Sequence, residues 1–261
     1  MPCRYEVSNG VAVVTLDRPD VLNAFDDELG FATLDAIRKA SDDAAVRCIV
    51  LTGAGRAFSS GEDLGALQAD YEKGQAPPLG NTLIERYNPL IRALRSAPKP
   101  VLAAVNGVAA GAGASIALAC DFRIASDKAK LVLAFIKAGL VPDSGAIWFL
   151  LRTCGASRTW HLAATGDPMS AEEAEACGIF HRVVPAEEFE AAWRSWAGEL
   201  ASGPTRAYAL TKQLVNNASA ATLDDQLDLE VDAQTQAGAT ADHLEGVRAF
   251  LGKRRPEFRG E

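Results

Sequence analysis

Histidine is scarce. The chain has only three, His161, His181 and His243, and they are too dispersed to suggest a metal site. The five cysteines (Cys3, Cys48, Cys120, Cys154 and Cys177) are odd in number and form no CxxC pair, so reduced, mostly buried thiols are expected rather than a disulfide framework. There is no basic excess: 26 Lys and Arg stand against 34 Asp and Glu, a net charge of −8, which argues against a phosphate-tracking nucleic-acid surface. No apolar run approaches the roughly 18 residues of a membrane span. Met1-Pro2-Cys3-Arg4 leads directly into strand-like sequence, so a cytoplasmic protein with no targeting segment and neither membrane nor nucleic-acid partners is expected. No internal repeat is visible, and nothing of low complexity beyond alanine enrichment.

What is present is apolar content: 48% of 261 residues, ample for one large domain or one domain with a small appendage. The chain is organised around residues 98–125. Val101 to Val105 reads as a buried strand and Asn106-Gly107 as a turn. Gly111 to Ala119 reads as a helix so poor in bulk that another backbone must lie against it. Such a helix either merely permits close packing or presents its unpaired first amides, aided by the macrodipole, to an oxyanion. Two other motifs fail on spacing. A dinucleotide fingerprint needs glycine where Ile116 stands, and about 20 residues beyond Gly111 comes Leu131 rather than an acid. A nucleophile elbow around Ser115 finds Gly113 on one side but Ala117 on the other.

Tyr5 to Val7 and Val11 to Leu16, with Asn9-Gly10 between them, read as a hairpin. Asp26 caps a helix to about Ala40 with Leu29, Ala32, Ile37 and Ala40 inward, and Val46 to Thr52 is a second buried strand. Strands alternating with helices imply a mostly parallel α/β core. Residues 53–64 read as a turn-rich loop and 68–80 as a mobile surface excursion. Asn81 to Ser96 reads as an amphipathic helix with Leu83, Tyr87, Leu90, Ile91 and Leu94 as its stripe. Phe122 to Ala125 and Lys130 to Leu133 are short strands. Asp143, between an aliphatic stretch and Ile147-Trp148-Phe149-Leu150, is either a helix N-cap or a carboxylate of raised pKa able to shuttle a proton. Ser170 and Glu173 have capping-box spacing. From Pro185 the pattern is nearly all helical, broken at 203–204, 220–223 and 238–242. A boundary near 200 separates a core, 1–200, from a helical region, 201–261.

Taken together, Phe58-Ser59-Ser60-Gly61-Glu62-Asp63-Leu64, the 98–125 stretch, Gly139-Leu140-Val141-Pro142-Asp143-Ser144-Gly145 and Thr165-Gly166 with Ser170-Ala171-Glu172-Glu173 resemble the crotonase (enoyl-CoA hydratase/isomerase) family over essentially the whole chain. The resemblance implies a crotonase-like spiral of ββα turns, a C-terminal helical trimerisation region, and a homotrimer or hexamer (dimer of trimers). It implies an acyl-CoA thioester substrate, coenzyme A entering as part of it, with no permanently bound cofactor and no metal. The family's oxyanion hole falls on the backbone amides of Glu62 and Ala112. The two glutamates of the hydratase branch correspond to Ser115 and Phe135, which argues against hydration. The dehalogenase branch has a histidine and a tryptophan where Asn88 and Phe135 stand.

What remains resembles the ring-epoxide and enoyl isomerases of phenylacetate degradation, with Asp143 as the single proton shuttle. The implied substrate wall comprises Ser60, Leu64, Asn88, Ser115, Phe135 and Trp148, with Leu133 also excluding water. For coenzyme A it implies backbone around Leu22 and Ala24 and the chain after Asp63, with Arg18, Lys253 and Arg254 as phosphate cations. An enoyl-CoA hydratase of low activity and a non-catalytic acyl-CoA-binding protein are the alternatives.

Overall fold

The computed structural model describes residues 2–75 and 77–261. Asn9 and Gly10 both take positive φ, 50° and 76°, as a two-residue type I′ turn requires. They join β1 (Cys3–Ser8) to β2 (Val11–Leu16) in the expected hairpin. Asp26 caps α1 (Asp27–Asp42), its carboxylate accepting the Leu29 N–H at 2.8 Å. β3 (Cys48–Gly53) and β4 (Ala57–Ser59) precede three short helices, α2 (Gln68–Glu72), α3 (Leu79–Thr82) and α4 (Asn88–Ser96). A π turn over Leu83–Tyr87 links the last two. Then come β5 (Val101–Val105), β6 (Val108–Ala110), α5 (Ala112–Ala119), β7 (Phe122–Ser126), β8 (Lys130–Val132) and α6 (Ala146–Thr165). β9 (Met169–Ser170), α7 (Ala171–Ala176) and β10 (Arg182–Val184) lead to α8 (Phe189–Ala201), α9 (Thr205–Ala218), α10 (Leu223–Gly238) and α11 (Ala241–Leu251).

From β3 to β8, consecutive strands alternate between two sheets. One has the order β1-β2-β3-β5-β7-β10, parallel except for the hairpin, and the other β4-β6-β8-β9. β3 with β4, β5 with β6, and β7 with β8 thus each place one strand in each sheet before the chain goes on to helix, the ββα spiral that the resemblance implied. β3 and β5 are continuous apolar runs because both of their faces are covered. Ile49, Leu51, Ala103 and Val105 point to one cluster. Val50, Leu102 and Ala104 point to the other, where Trp193, Trp196 and Leu200 of α8 pack on them.

Two segments depart from the sequence reading. The loop at 53–64 contains β4, and β6 follows the Asn106-Gly107 turn. Three-residue strands are too short to show a period and exist because the spiral pairs them with each other. Residues 68–80 carry α2 and the start of α3, and Tyr71 and Leu79 line a cavity. Ala76, within that stretch, and Met1 lie outside the described residues. Ser170 and Glu173 make the expected capping box. Among the described residues no helix is long and apolar enough to cross a membrane.

Candidate active site

α5 begins immediately after Gly111, whose φ is 51° and ψ −127°, and all eight of its residues are buried. Its small side chains admit a second backbone, as expected: a Cβ at Gly113 would stand 2.7 Å from the Cβ and 2.8 Å from the carbonyl oxygen of Ser59 in β4. The chain beyond β4 is held as closely. A Cβ at Gly61 (φ 95°) would lie 2.9 Å from the Ala110 carbonyl oxygen and 3.3 Å from the Ala112 nitrogen. This sets the residue before Glu62 against the start of α5, and neither the Glu62 nor the Ala112 N–H donates to a protein acceptor among the described residues. The Ala112 N–H is one of the unpaired donors that every helix start leaves.

Both residues line a cavity of about 140 Å³ together with Ser60, Tyr87, Phe135 and Asp143. Leu64, Leu79, Leu83 and Leu140 make the rest of it largely apolar. A larger hollow, about 420 Å³, lies among α9, α10 and α11. Its lining carries Asp242, which already accepts the backbone N–H groups of Arg259 and Gly260, and His243.

Asp143 does not cap α6. The N-cap is Gly145 and has no side-chain cap; the Asp143 carboxylate instead accepts the Ser144 hydroxyl at 2.8 Å. The backbone carbonyl of Asp143 takes the Ser115 hydroxyl at 3.0 Å and the Ala146 N–H at 3.0 Å. Ser115 is wholly buried. It ties α5 to the Asp143 loop and offers no side chain to a substrate. Burial raises the Asp143 carboxyl above the ordinary carboxylate range, the nearby Glu62 adds to the rise, and the Ser144 hydroxyl opposes it.

The Glu62 side chain has partners the sequence did not disclose. Its two oxygens accept the Arg86 guanidinium at 2.6 and 2.5 Å, and it also accepts the Tyr87 hydroxyl. Burial, with the Glu62 charge beside it, pushes the Tyr87 phenol far above its usual value, so it stays protonated as a donor. Tyr87 was legible as a stripe residue. Arg86 was not, because a π turn carries one more residue per turn than helical spacing allows for.

The other expected site residues separate. Trp148 does not line the cavity: it is 41% exposed, stacks edge-on against Phe149 and receives Arg152 on its face. Leu133 is buried outside the lining, and Asn88 begins α4 without reaching the cavity. Leu22 (φ 55°), Ala24 and Asp63 stitch two loops together rather than line the cavity. The Leu22 carbonyl accepts the Ser60 N–H at 2.9 Å, and the Phe25 carbonyl accepts the Asp63 N–H at 2.9 Å. Arg18 is built into the same junction, on Asp26 at 3.1 Å, Asp63 at 3.0 Å and the Ala24 carbonyl at 2.6 Å. Lys253 is exposed, and Arg254 is held by Glu245.

The sequence pattern described as enoyl-CoA hydratase/isomerase matches residues 6–261. The chain is 47% identical to the 1,2-epoxyphenylacetyl-CoA isomerase of Escherichia coli over 98% of its own length and 97% of that protein's. It is 45% identical, with the same coverage, to a Rhodobacter capsulatus protein named "Probable enoyl-CoA hydratase". The solved structure of an enoyl-CoA hydratase from Polaromonas sp. JS666 superimposes with a TM-score of 0.91 at 35% identity, over 98% of this chain and 99% of that one.

Proposed function

The chain belongs to the enoyl-CoA hydratase/isomerase family of enzymes, and from that premise we propose that it is an acyl-CoA isomerase working through a thioester enolate. It moves a double bond, or rearranges a ring-derived acyl group, with Asp143 as the only proton shuttle. One observation carries this reading: of the two carboxylates on the cavity, Glu62 is neutralised by Arg86, while Asp143 among the described residues accepts a side-chain hydrogen bond from the Ser144 hydroxyl alone, and Glu62 and Ala112, whose amides have no acceptor among the described residues, line the same cavity.

In this mechanism the thioester oxygen sits between the Glu62 and Ala112 amides, whose donation strengthens as negative charge develops on it. Asp143 removes a proton from one carbon, the enolate is held by the amides, and the same acid returns the proton at another carbon. No net proton is consumed. Phe135, Leu64 and Leu140 exclude bulk water. Ser115 acts through the Asp143 backbone, and Ser60 lies on the cavity wall.

The coenzyme A arm of the substrate runs past the backbone at Leu22 and Ala24 and the chain after Asp63, with the exposed Lys253 as a cation for its phosphates, since Arg18 and Arg254 are already held by carboxylates. We place the enzyme in the cytoplasm as a homotrimer or a dimer of trimers. The name of the Escherichia coli relative favours a ring-derived acyl group.

Incubation with a 3-enoyl-CoA in deuterated water tests the chemistry. Deuterium incorporation and double-bond migration are expected, and both disappear in Asp143→Asn, a loss of about 100- to 10,000-fold. If neither occurs with that ester or with a ring-epoxide ester, the isomerase reading fails. A second reading, hydration, is favoured by the presence of Glu62 as a second carboxylate on the cavity. It requires water addition to a crotonyl thioester, and the two donors already bound to Glu62 leave it poorly placed to activate water.

A further inference from the structure

The Arg86–Glu62 contact is built from three separate parts of the chain. Arg86 is 2% exposed and sits on the π turn. Besides gripping both Glu62 oxygens it donates to Asp27 of α1 at 2.9 Å. α1 also makes room for it, since a Cβ at Gly30 would stand 2.3 Å from Arg86 Cδ and 2.6 Å from Cγ. Tyr87, the next residue, adds a third donor to Glu62. The arrangement is not a stability optimum. Arg86 Nε is buried without a partner, and desolvating a guanidinium opposes folding even when it is paired.

The position of Glu62 explains why such a group is retained. Glu62 presents one of the two free amides, so its own carboxylate stands close to where negative charge would gather. An uncompensated carboxylate there opposes an enolate as directly as the amide favours it. We propose that Arg86 is a positioning residue for the enolate step: it cancels the Glu62 charge and clamps the side chain, so that a residue bearing a carboxylate can serve as an oxyanion donor. This rests on the isomerase reading. The charged and titratable groups facing the pair are Asp27 from α1, Tyr87 from the π turn and Asp143 from the loop before α6. Tyr71 of α2 lines the same cavity, and Asp63, which follows Glu62, is already paired with Arg18.

The test combines a measurement that needs no substrate with one that does. The Asp143 carboxyl is titrated in the ligand-free protein by NMR of carbon-labelled aspartate, assigned by difference from Asp143→Asn. Arg86→Met, which leaves Glu62 uncompensated, is expected to raise that titration by about one pH unit. It should also lower kcat for solvent proton exchange into the acyl-CoA by about 10- to 100-fold, with KM little changed. Glu62→Gln combined with Arg86→Met removes both charges and is expected to return the titration to near its parent value and recover most of kcat.

Arg86→Lys keeps the charge but not the planar guanidinium that holds Glu62 through Nη2 and Asp27 through Nη1, so it should preserve the titration and lose part of kcat. A lower melting temperature in Arg86→Met with titration and kcat both unmoved would reduce the contact to a structural pair. If Arg86→Met does not fold, Arg86→Lys decides, and an unchanged kcat there overturns the clamp. Absence of exchange in the parent, alongside the expected titration shifts, would instead count against the isomerase reading and leave the charge compensation standing.

Discussion

Asp143 is a carboxylate in a largely apolar wall with one hydroxyl as its partner, and two consequences follow for pH. Burial raises its titration in the folded protein, so kcat/KM for isomerisation should climb with pH through a midpoint above the ordinary carboxylate value of about 4. A midpoint at or below 4 would mean that some other group titrates. The second consequence concerns stability. A carboxyl that holds its proton more tightly when folded favours the native state at low pH, and that contribution is lost as pH rises through the folded value. Asp143→Asn should therefore melt above the parent at pH 7, with the difference shrinking towards pH 4. Thermal unfolding followed by circular dichroism at several pH values checks it, and equal melting temperatures at pH 7 would show that the buried charge costs nothing. Asp143 and the two amide positions were legible because their motifs are local. Arg86 was hidden in an apparently exposed polar position of an amphipathic pattern.

The contact of β4 with α5 sets the spacing between the two amides. Gly113 has ordinary helical surroundings yet no room for a methyl group, because Ser59 stands where its Cβ would go. Gly113→Ala should push β4 away from α5, destabilise the fold by about 1 to 3 kcal/mol, and reduce turnover by more than a loss of folded protein explains. Calorimetry beside single-turnover kinetics separates the two effects; full activity per folded molecule would show that the spacing tolerates the shift. The need for a close neighbour was visible in the alanine and glycine content of residues 111–119. The identity of that neighbour was not, because a three-residue strand more than 50 positions earlier in the chain leaves no periodic trace.

The C-terminal helices are fastened to the core at several points. Arg47 reaches the carbonyls of Gly203 and Phe258, Lys212 reaches Asp121 at 2.7 Å, and Asn216 donates to the Arg95 carbonyl. α11 nevertheless leaves Leu244, Phe250 and Leu251 exposed, the last two by 81% and 75%. Several large apolar side chains this exposed on one short helix are what an association face presents. Phe250→Glu should shift a homotrimer, or a dimer of trimers, towards smaller species in sedimentation velocity. A parent that sediments as a monomer would remove the proposal.

The sequence by itself determined the elements whose causes are local: the Asn9-Gly10 hairpin, the Asp26 cap, the buried strands β3 and β5, the helical breaks after 200, and the motifs that carry the family. These depend on dihedral preference, capping chemistry and runs of apolar side chains, which neighbours in the chain suffice to specify. Only the tertiary structure decided which carboxylate stays free. It paired Glu62 with Arg86, moved Trp148 out of the cavity, turned Ser115 towards a backbone carbonyl and committed Arg18 to Asp26 and Asp63. Charge pairing and burial are set by what the fold brings within a few ångströms, and the partners of Glu62 lie 24 and 25 residues away along the chain.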